Sequence, residues 1–139
     1  MDEIRIMLDD HAIMPTRAHE DDAGLDLYCI DGAVIAPGRY HVFDTGVHVE
    51  IPQGYAGLLV SKSGLNIMHG LTSTGLIDAG YTGSIHVALY NFGTWTYIVN
   101  PGDKISQLVL LPVACPVPIR VDQMTSTERG ASGFGSTGK

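Results

Sequence analysis

Asp78 stands where a carboxylate could do chemistry. It lies in Gly75-Leu76-Ile77-Asp78-Ala79-Gly80-Tyr81-Thr82-Gly83, with Gly75, Gly80 and Gly83 around it. Glycines this dense suit turns, or places where backbone must come close to something else. Two readings stand open. Asp78 is a turn residue bonding its own backbone, or a carboxylate at the mouth of a tight β-hairpin, facing a ligand that lies against bare main chain. Asp26 poses a second question, because it interrupts the apolar run Leu25-Asp26-Leu27-Tyr28-Cys29-Ile30. An unpaired carboxylate there is costly, so it faces solvent or is bonded to something specific. Ser63 has no evident partner for a Ser-His-Asp arrangement, and His69 beside a short helix suits a structural role. The six histidines lack HxH or HExxH spacing, and Cys29 and Cys115 form no CxxC pair. Both points argue against metal ligation by side chains. The two cysteines lie in apolar stretches that suit core better than nucleophilic chemistry.

The end of the chain offers other candidates. Gly133-Phe134-Gly135-Ser136-Thr137-Gly138-Lys139 matches most of the P-loop expression. A P-loop also needs a preceding strand, a Ser or Thr after the Lys and a helix, and these are missing. A glycine- and hydroxyl-rich segment can still wrap phosphates with backbone N–H groups. Arg129 supplies a cation suited to phosphate oxygens. Phe134, alone among small residues, makes sense as a platform for a base, or it is incidental to a disordered tail.

Positioning these residues falls to many short strands. At 139 residues the chain is one domain, 45% hydrophobic and only 17% charged. The mean hydropathy of +0.14 and the low charge point to surface buried in an oligomer. A net charge of −7 argues against a nucleic-acid polyanion as partner but leaves room for a small anion. Two unpaired cysteines fit a reducing compartment. With no secretory h-region and no long apolar run, no membrane contact and a cytoplasmic location are expected. Alternation and turn residues predict strands over residues 4–8, 25–30, 34–35, 40–50 (with a bulge at Gly46), 55–60, 84–90, 95–99 and 104–111, and a proline-broken strand over 113–121. One short helix is expected over 61–70, capped by its serines, with Leu65 and Met68 on one face. Residues 122–139 read as a flexible tail after a domain of residues 1–121. The sum is an all-β, jelly-roll-type barrel.

Five segments stand out in order: Asp22-Ala23-Gly24-Leu25-Asp26-Leu27, Lys62-Ser63-Gly64-Leu65, the run from Gly75 to Gly83, Lys104-Ile105-Ser106-Gln107-Leu108, and the run from Arg129 to Gly138. In this order and spacing they resemble the five motifs of the homotrimeric dUTPase family, over essentially the whole chain. The resemblance implies a distorted jelly-roll-type barrel in which three subunits build three sites at their interfaces. It implies hydrolysis of dUTP to dUMP and pyrophosphate with Mg²⁺, which lowers dUTP and supplies dUMP for dTMP synthesis. Carried over by position, Asp78 orients and deprotonates the attacking water, and Tyr81 packs under the deoxyribose and rejects a 2′-hydroxyl. The hairpin from Gly75 through Leu76 and Ile77 to His86 reads uracil with its backbone. Ser63 and Gly64 bind phosphate beside Lys62, and Gln107 contacts phosphate through its amide. Asp26 reaches the metal through water, the ion being held mainly by the triphosphate. Arg129, Phe134, Gly135, Ser136 and Thr137 belong to the arm that closes over a neighbouring subunit's site, with Phe134 on uracil and the others on the γ-phosphate.

The chain departs from the family pattern at Lys62, where Arg is usual, at Ala79-Gly80, and at Ala131 and Ser132. Lys62 is a point charge without Arg's bidentate fork. Two other readings are kept in view. A dCTP deaminase shares the barrel but needs a longer chain. A nucleotide-sensing or partner-binding trimer is the alternative outside enzymes.

Overall fold

Residues 3–138 are described by the computed structural model. Alternation along the strands builds the core. In the strand His86–Asn91, Val87, Leu89 and Asn91 point inward while the residues between them are at least partly exposed. The elements in order are β1 (Ile6–Leu8), β2 (Leu25–Tyr28), β3 (Ala33–Ile35), β4 (Tyr40–Asp44), β5 (Val47–Val49), β6 (Tyr55–Val60), α1 (Ser63–His69), β7 (Leu71–Thr72), β8 (Thr74–Ile77), β9 (His86–Asn91), β10 (Tyr97–Val99) and β11 (Lys104–Pro112). They form four antiparallel sheets, ordered β2-β11-β6-β8, β4-β9-β7, β1-β5 and β3-β10. Leu27, Ile35, Leu71, Ile85, Leu89, Ile105 and Leu108 are fully buried between them. The fold is all-β and jelly-roll-like with one short helix, and its ladders do not join into a single closed barrel. No helix among the described residues is long and apolar enough to cross a membrane.

Several elements differ from the sequence expectation. Residues 40–50 are not one bulged strand. Asp44 Oδ1 accepts the Gly46 N–H at 2.9 Å, Gly46 takes φ 65°, and the buried Thr45 hydroxyl donates to the Ile85 carbonyl at 2.7 Å. The chain turns a corner there, so β4 joins β9 while β5 joins β1. The helix is not capped by serine. Lys62 is its N-cap without a side-chain bond, and Ser61 Oγ instead accepts the Ser73 N–H at 3.0 Å. Met68 is exposed, unlike the half-buried Leu65. Cys115 is exposed rather than in the core, while Cys29 is buried. Residues 113–121 form no strand. Their first residue donates to the Gly54 carbonyl at 2.9 Å, after which Val117 and Ile119 stand open to solvent.

One irregularity positions the site. The β11–β2 register shifts between Lys104 and Ser106, so Lys104 pairs with Tyr28 and Gln107 with Asp26. Residues three apart on a regular strand point to opposite faces. The extra residue, Ile105, restores the phase and sets Lys104 and Gln107 on the same face as Asp26.

Candidate active site

The first cluster lies where β2 and β11 meet the start of α1. Asp26 is only 3% exposed. Burial alone pushes its carboxyl up, but hydrogen bonds and charge from Lys62 and Lys104 outweigh this and hold it below the usual carboxylate range. Lys62 Nζ contacts Oδ1, and Lys104 Nζ lies 3.1 Å from Oδ2. Asp26 is thus the carboxylate bonded to something specific. Its hydrogen bond holds the Lys104 ammonium above the ordinary lysine value. Lys104 opens the fourth of the five segments but has no role in the sequence reading, because the bulge that turns it toward Asp26 leaves no mark in the residue pattern.

Around this group opens a cavity of about 320 Å³ lined by Gly24, Asp26, Lys62, Ser63 and Gln107, with Asp22 also on its wall. Gln107 Nε2 donates to the Ser61 carbonyl at 3.0 Å, which fixes its amide in the cavity wall. Its Oε1 lies where a Cβ on Gly24 would come within 2.2 Å, so a side chain at 24 would displace the Gln107 amide. Ser63 is exposed, and nothing lies within 4 Å of a Cβ built on Gly64.

The second cluster lies between β8 and β9. The two strands follow one another but belong to different sheets, so the connection is a splayed pair rather than a tight hairpin. β8 is an edge strand, which leaves main-chain groups without a strand partner along one side. A cavity of about 270 Å³ fills the gap, lined by Gly75, Leu76, Ile77, Asp78, Tyr81 and His86 among others. The turn is set by the Tyr81 N–H donating to the Asp78 carbonyl at 3.2 Å and by Gly80 at φ 89°. The Tyr81 hydroxyl donates to the Ser84 carbonyl at 2.9 Å. Its ring lies over Gly83, where a Cβ would come within 2.4 Å of that hydroxyl. Asp78 is exposed. Its backbone carbonyl closes the turn, and its carboxylate makes no hydrogen bond among the described residues. The turn-capping reading is therefore set aside.

These clusters do not meet within one chain. Ile77 pairs with Gly57 and Thr74 with Val60, so Asp78 lies level with Ala56 near one end of β6 and Ser63 follows the other end. The Ala56 and Val60 levels alone are roughly 13 Å apart at the usual strand rise. Residues 111–138 are exposed throughout. In the tail, Arg129 Nε donates to the Ser132 carbonyl at 2.9 Å, Ser136 N–H donates to the Gly133 carbonyl, and Phe134 is open to solvent. Every tail hydrogen bond among the described residues stays within the tail. Arg129, Phe134, Gly135, Ser136 and Thr137 are not brought to either cavity, and Lys139 lies outside the described residues.

The dUTPase family model matches residues 10–138. The chain is 41% identical to the deoxyuridine 5′-triphosphate nucleotidohydrolase of Gloeobacter violaceus, over 99% of each chain. It is 41% identical to that of Leifsonia xyli, over 90% of this chain and 85% of the relative. Among solved structures it resembles the Staphylococcus bacteriophage 80alpha dUTPase with dUpNHpp, at 33% identity, TM-score 0.89 and full coverage of both chains. It also resembles a mutant dUTPase of phage phi11 of S. aureus, described with a structural Mg(II) ion. That match has 32% identity and TM-score 0.81, covering 88% of this chain and 98% of the phage chain. A family model spanning almost the whole chain, relatives above 40% identity and a matching β fold agree: this protein belongs to the dUTPase family, a family of hydrolases.

Proposed function

We propose that the protein hydrolyses dUTP to dUMP and pyrophosphate, with Asp78 activating the attacking water. One observation carries this reading: Asp78 is an exposed carboxylate free of internal hydrogen bonds, at the mouth of a slot walled by main chain and by the Tyr81 ring. Fixed backbone donors and acceptors along Gly75, Leu76 and Ile77 suit the edge of uracil, and their close approach leaves no room for a 5-methyl group. Tyr81, held over Gly83, suits the deoxyribose and excludes a 2′-hydroxyl. His86 lines the same slot and joins through its backbone.

The other cavity suits the phosphates. The Lys62 and Lys104 ammoniums offset the Asp26 carboxylate, and Lys62 stands on the cavity wall as a cation for phosphate oxygens, with Asp22 on the same wall. Lys62, Ser63, Gly64 and the Gln107 amide would hold the phosphate oxygens, and the open space over Gly64 lets them approach the backbone. A carboxylate has about four acceptor positions. The two lysines occupy one each, so Asp26 retains places for metal-bound water. The residues fit Mg²⁺ carried mainly by triphosphate and water, with Asp26 as an outer partner. When bound, the ion would neutralise charge on the phosphates.

In the reaction, Asp78 takes a proton from water as its oxygen bonds to the α-phosphorus in line with the bridge to the β-phosphate. That P–O bond breaks, and pyrophosphate leaves with the bonding pair. Positioning and charge neutralisation supply most of the rate in such chemistry. Because the two cavities share no lining residue, and Asp78 and Ser63 lie toward opposite ends of β6, we infer a homotrimer in which one copy's Asp78 slot faces another's Ser63 cavity. The apolar, unpaired residues 113–121 and the arm of residues 122–139 reach a neighbour, and Arg129, Phe134, Gly135, Ser136 and Thr137 close over its nucleotide. The free Cys29 and Cys115 accord with a cytoplasmic protein.

The test is pyrophosphate release from dUTP with Mg²⁺ at micromolar enzyme, run beside dCTP and UTP. Cleavage of dUTP alone supports the reading. Intact dUTP, or consumption of dCTP instead, ends it.

A further inference from the structure

Two hydrogen bonds converge on the ring of His48, and both partners are acceptors. Nδ1 lies 2.7 Å from the Thr82 carbonyl oxygen, and Nε2 lies 2.9 Å from Asp9 Oδ1. A neutral imidazole carries one N–H and can serve only one of them; the imidazolium serves both. Thr82 adjoins Tyr81 in the loop of residues 78–84. Within the loop, the Tyr81 N–H donates to Asp78 and the Tyr81 hydroxyl to Ser84. Just past its end, Ile85 is bonded to Val47 and Thr45, and His48 adds a tie at Thr82, beside Tyr81. It sits in the middle of β5 and is half-buried, so its bond runs from the sheet to the loop.

We propose that His48, as an imidazolium, is a positioning residue: it holds the Thr82 carbonyl to β5 and thereby sets where the neighbouring Tyr81 ring lies in the slot. Loss of its proton frees one of the two contacts and loosens the slot. The proposal rests on the reading of that slot as the nucleoside site.

The surroundings favour the charged ring. The Thr82 carbonyl, then Asp9, then the more distant Asp44 hold the His48 ring above the ordinary histidine value. Asp44, at the end of β4, also lies 3.7 Å from His86 Nε2. Arg5 and Glu50 line the same cavity of about 350 Å³ as His48, but they pair with each other at 3.3 Å, so neither sign dominates there. The carbonyl and the two acids remain as the groups that decide the ring's charge.

Two measurements test this. In ¹⁵N NMR of the wild-type protein, both His48 ring nitrogens are expected to be protonated at neutral pH. The ring should titrate above the ordinary histidine value, and Asp9→Asn should move that titration down. The Thr82 and Gly83 amide signals should follow the same curve. A ring with one N–H at neutral pH overturns the proposal. Kinetically, KM for dUTP and Kd for dUMP should rise about two- to tenfold as His48 loses its proton, the range one net hydrogen bond represents, with kcat little changed. His48→Gln should flatten that rise, and Asp9→Asn should shift it to lower pH. A His48→Gln enzyme that keeps the wild-type pH dependence of KM also overturns it. If the protein does not cleave dUTP, the functional reading fails by itself, and the ring and amide titrations still decide the role of His48.

Discussion

Asp78 and Asp26 are the same residue type with opposite fates. Asp78 is exposed with an unengaged carboxylate, as a base must be before substrate arrives. Asp78→Asn keeps shape and polarity and removes only the base. It should bind dUMP within about twofold of wild type while kcat falls by roughly 10²- to 10⁴-fold, the usual contribution of a general base. Full turnover in that variant removes Asp78 from the role. Asp26 is buried and held by two lysines, so its effect shows in stability. A carboxyl held below its unfolded value of 3.8 contributes stability that is present above that pH and is lost as pH falls through the lower, folded value. Lys104, held above 10.5, contributes below that pH and loses its contribution as pH rises through its folded value. Asp26→Asn should therefore flatten the fall of stability on acidification below about pH 4, as followed by urea melts across pH. Lys62→Ala should cost about 1–3 kcal/mol, less than a fully orphaned buried charge, because Lys104 still faces Asp26.

At the scale of elements, the site depends on two breaks in regular pairing. The bulge at Ile105 turns Lys104 and Gln107 to one face, and the splayed β8–β9 connection leaves main chain facing a slot. Gly83 links the second break to the Tyr81 ring. Its φ lies outside the glycine-favouring region, so alanine is acceptable to the backbone, but its Cβ meets a rigid ring. Gly83→Ala should leave the thermal midpoint within a few degrees, since the loop is exposed. It should raise Kd for dUMP and relax discrimination between dUTP and UTP, both measurable by calorimetry and by competition. A variant that still rejects UTP as wild type does separates ring placement from sugar selection.

At the scale of the whole molecule, one chain presents two incomplete surfaces. They share no lining residue, Asp78 and Ser63 lie toward opposite ends of β6, and the exposed residues 111–138 cover neither surface with a hydrogen bond. Light scattering should give a trimer. Deleting residues 128–139 should leave that trimer folded with little activity, and an unchanged kcat shows the arm to be dispensable. Asp78→Asn and Gln107→Ala chains, each nearly inactive alone, should regain part of the activity when co-expressed, because some interfaces then join an intact slot to an intact phosphate cavity. No recovery beyond the two parents places both halves of the site in one copy.

Most strand positions, the turn residues and the five segments were legible in the sequence because each is local, whereas β7 and β8 were not read as strands and residues 113–121 were read as one that does not form. Alternation fixes which side of a strand is buried, and glycine marks where backbone turns or must be approached. Asp26 was already marked as either facing solvent or bonded to something specific, since no carboxylate remains unpaired in an apolar strand without cost. Which partner answered it, Lys104 as well as Lys62, depended on a register shift between strands far apart in the chain. The corner at Thr45, and the separation of β8 from β9 into different sheets, were likewise decided by pairing energies spread over distant residues. Spacing along the chain lists the groups a site can use; only the packed sheets determine which of them face one another.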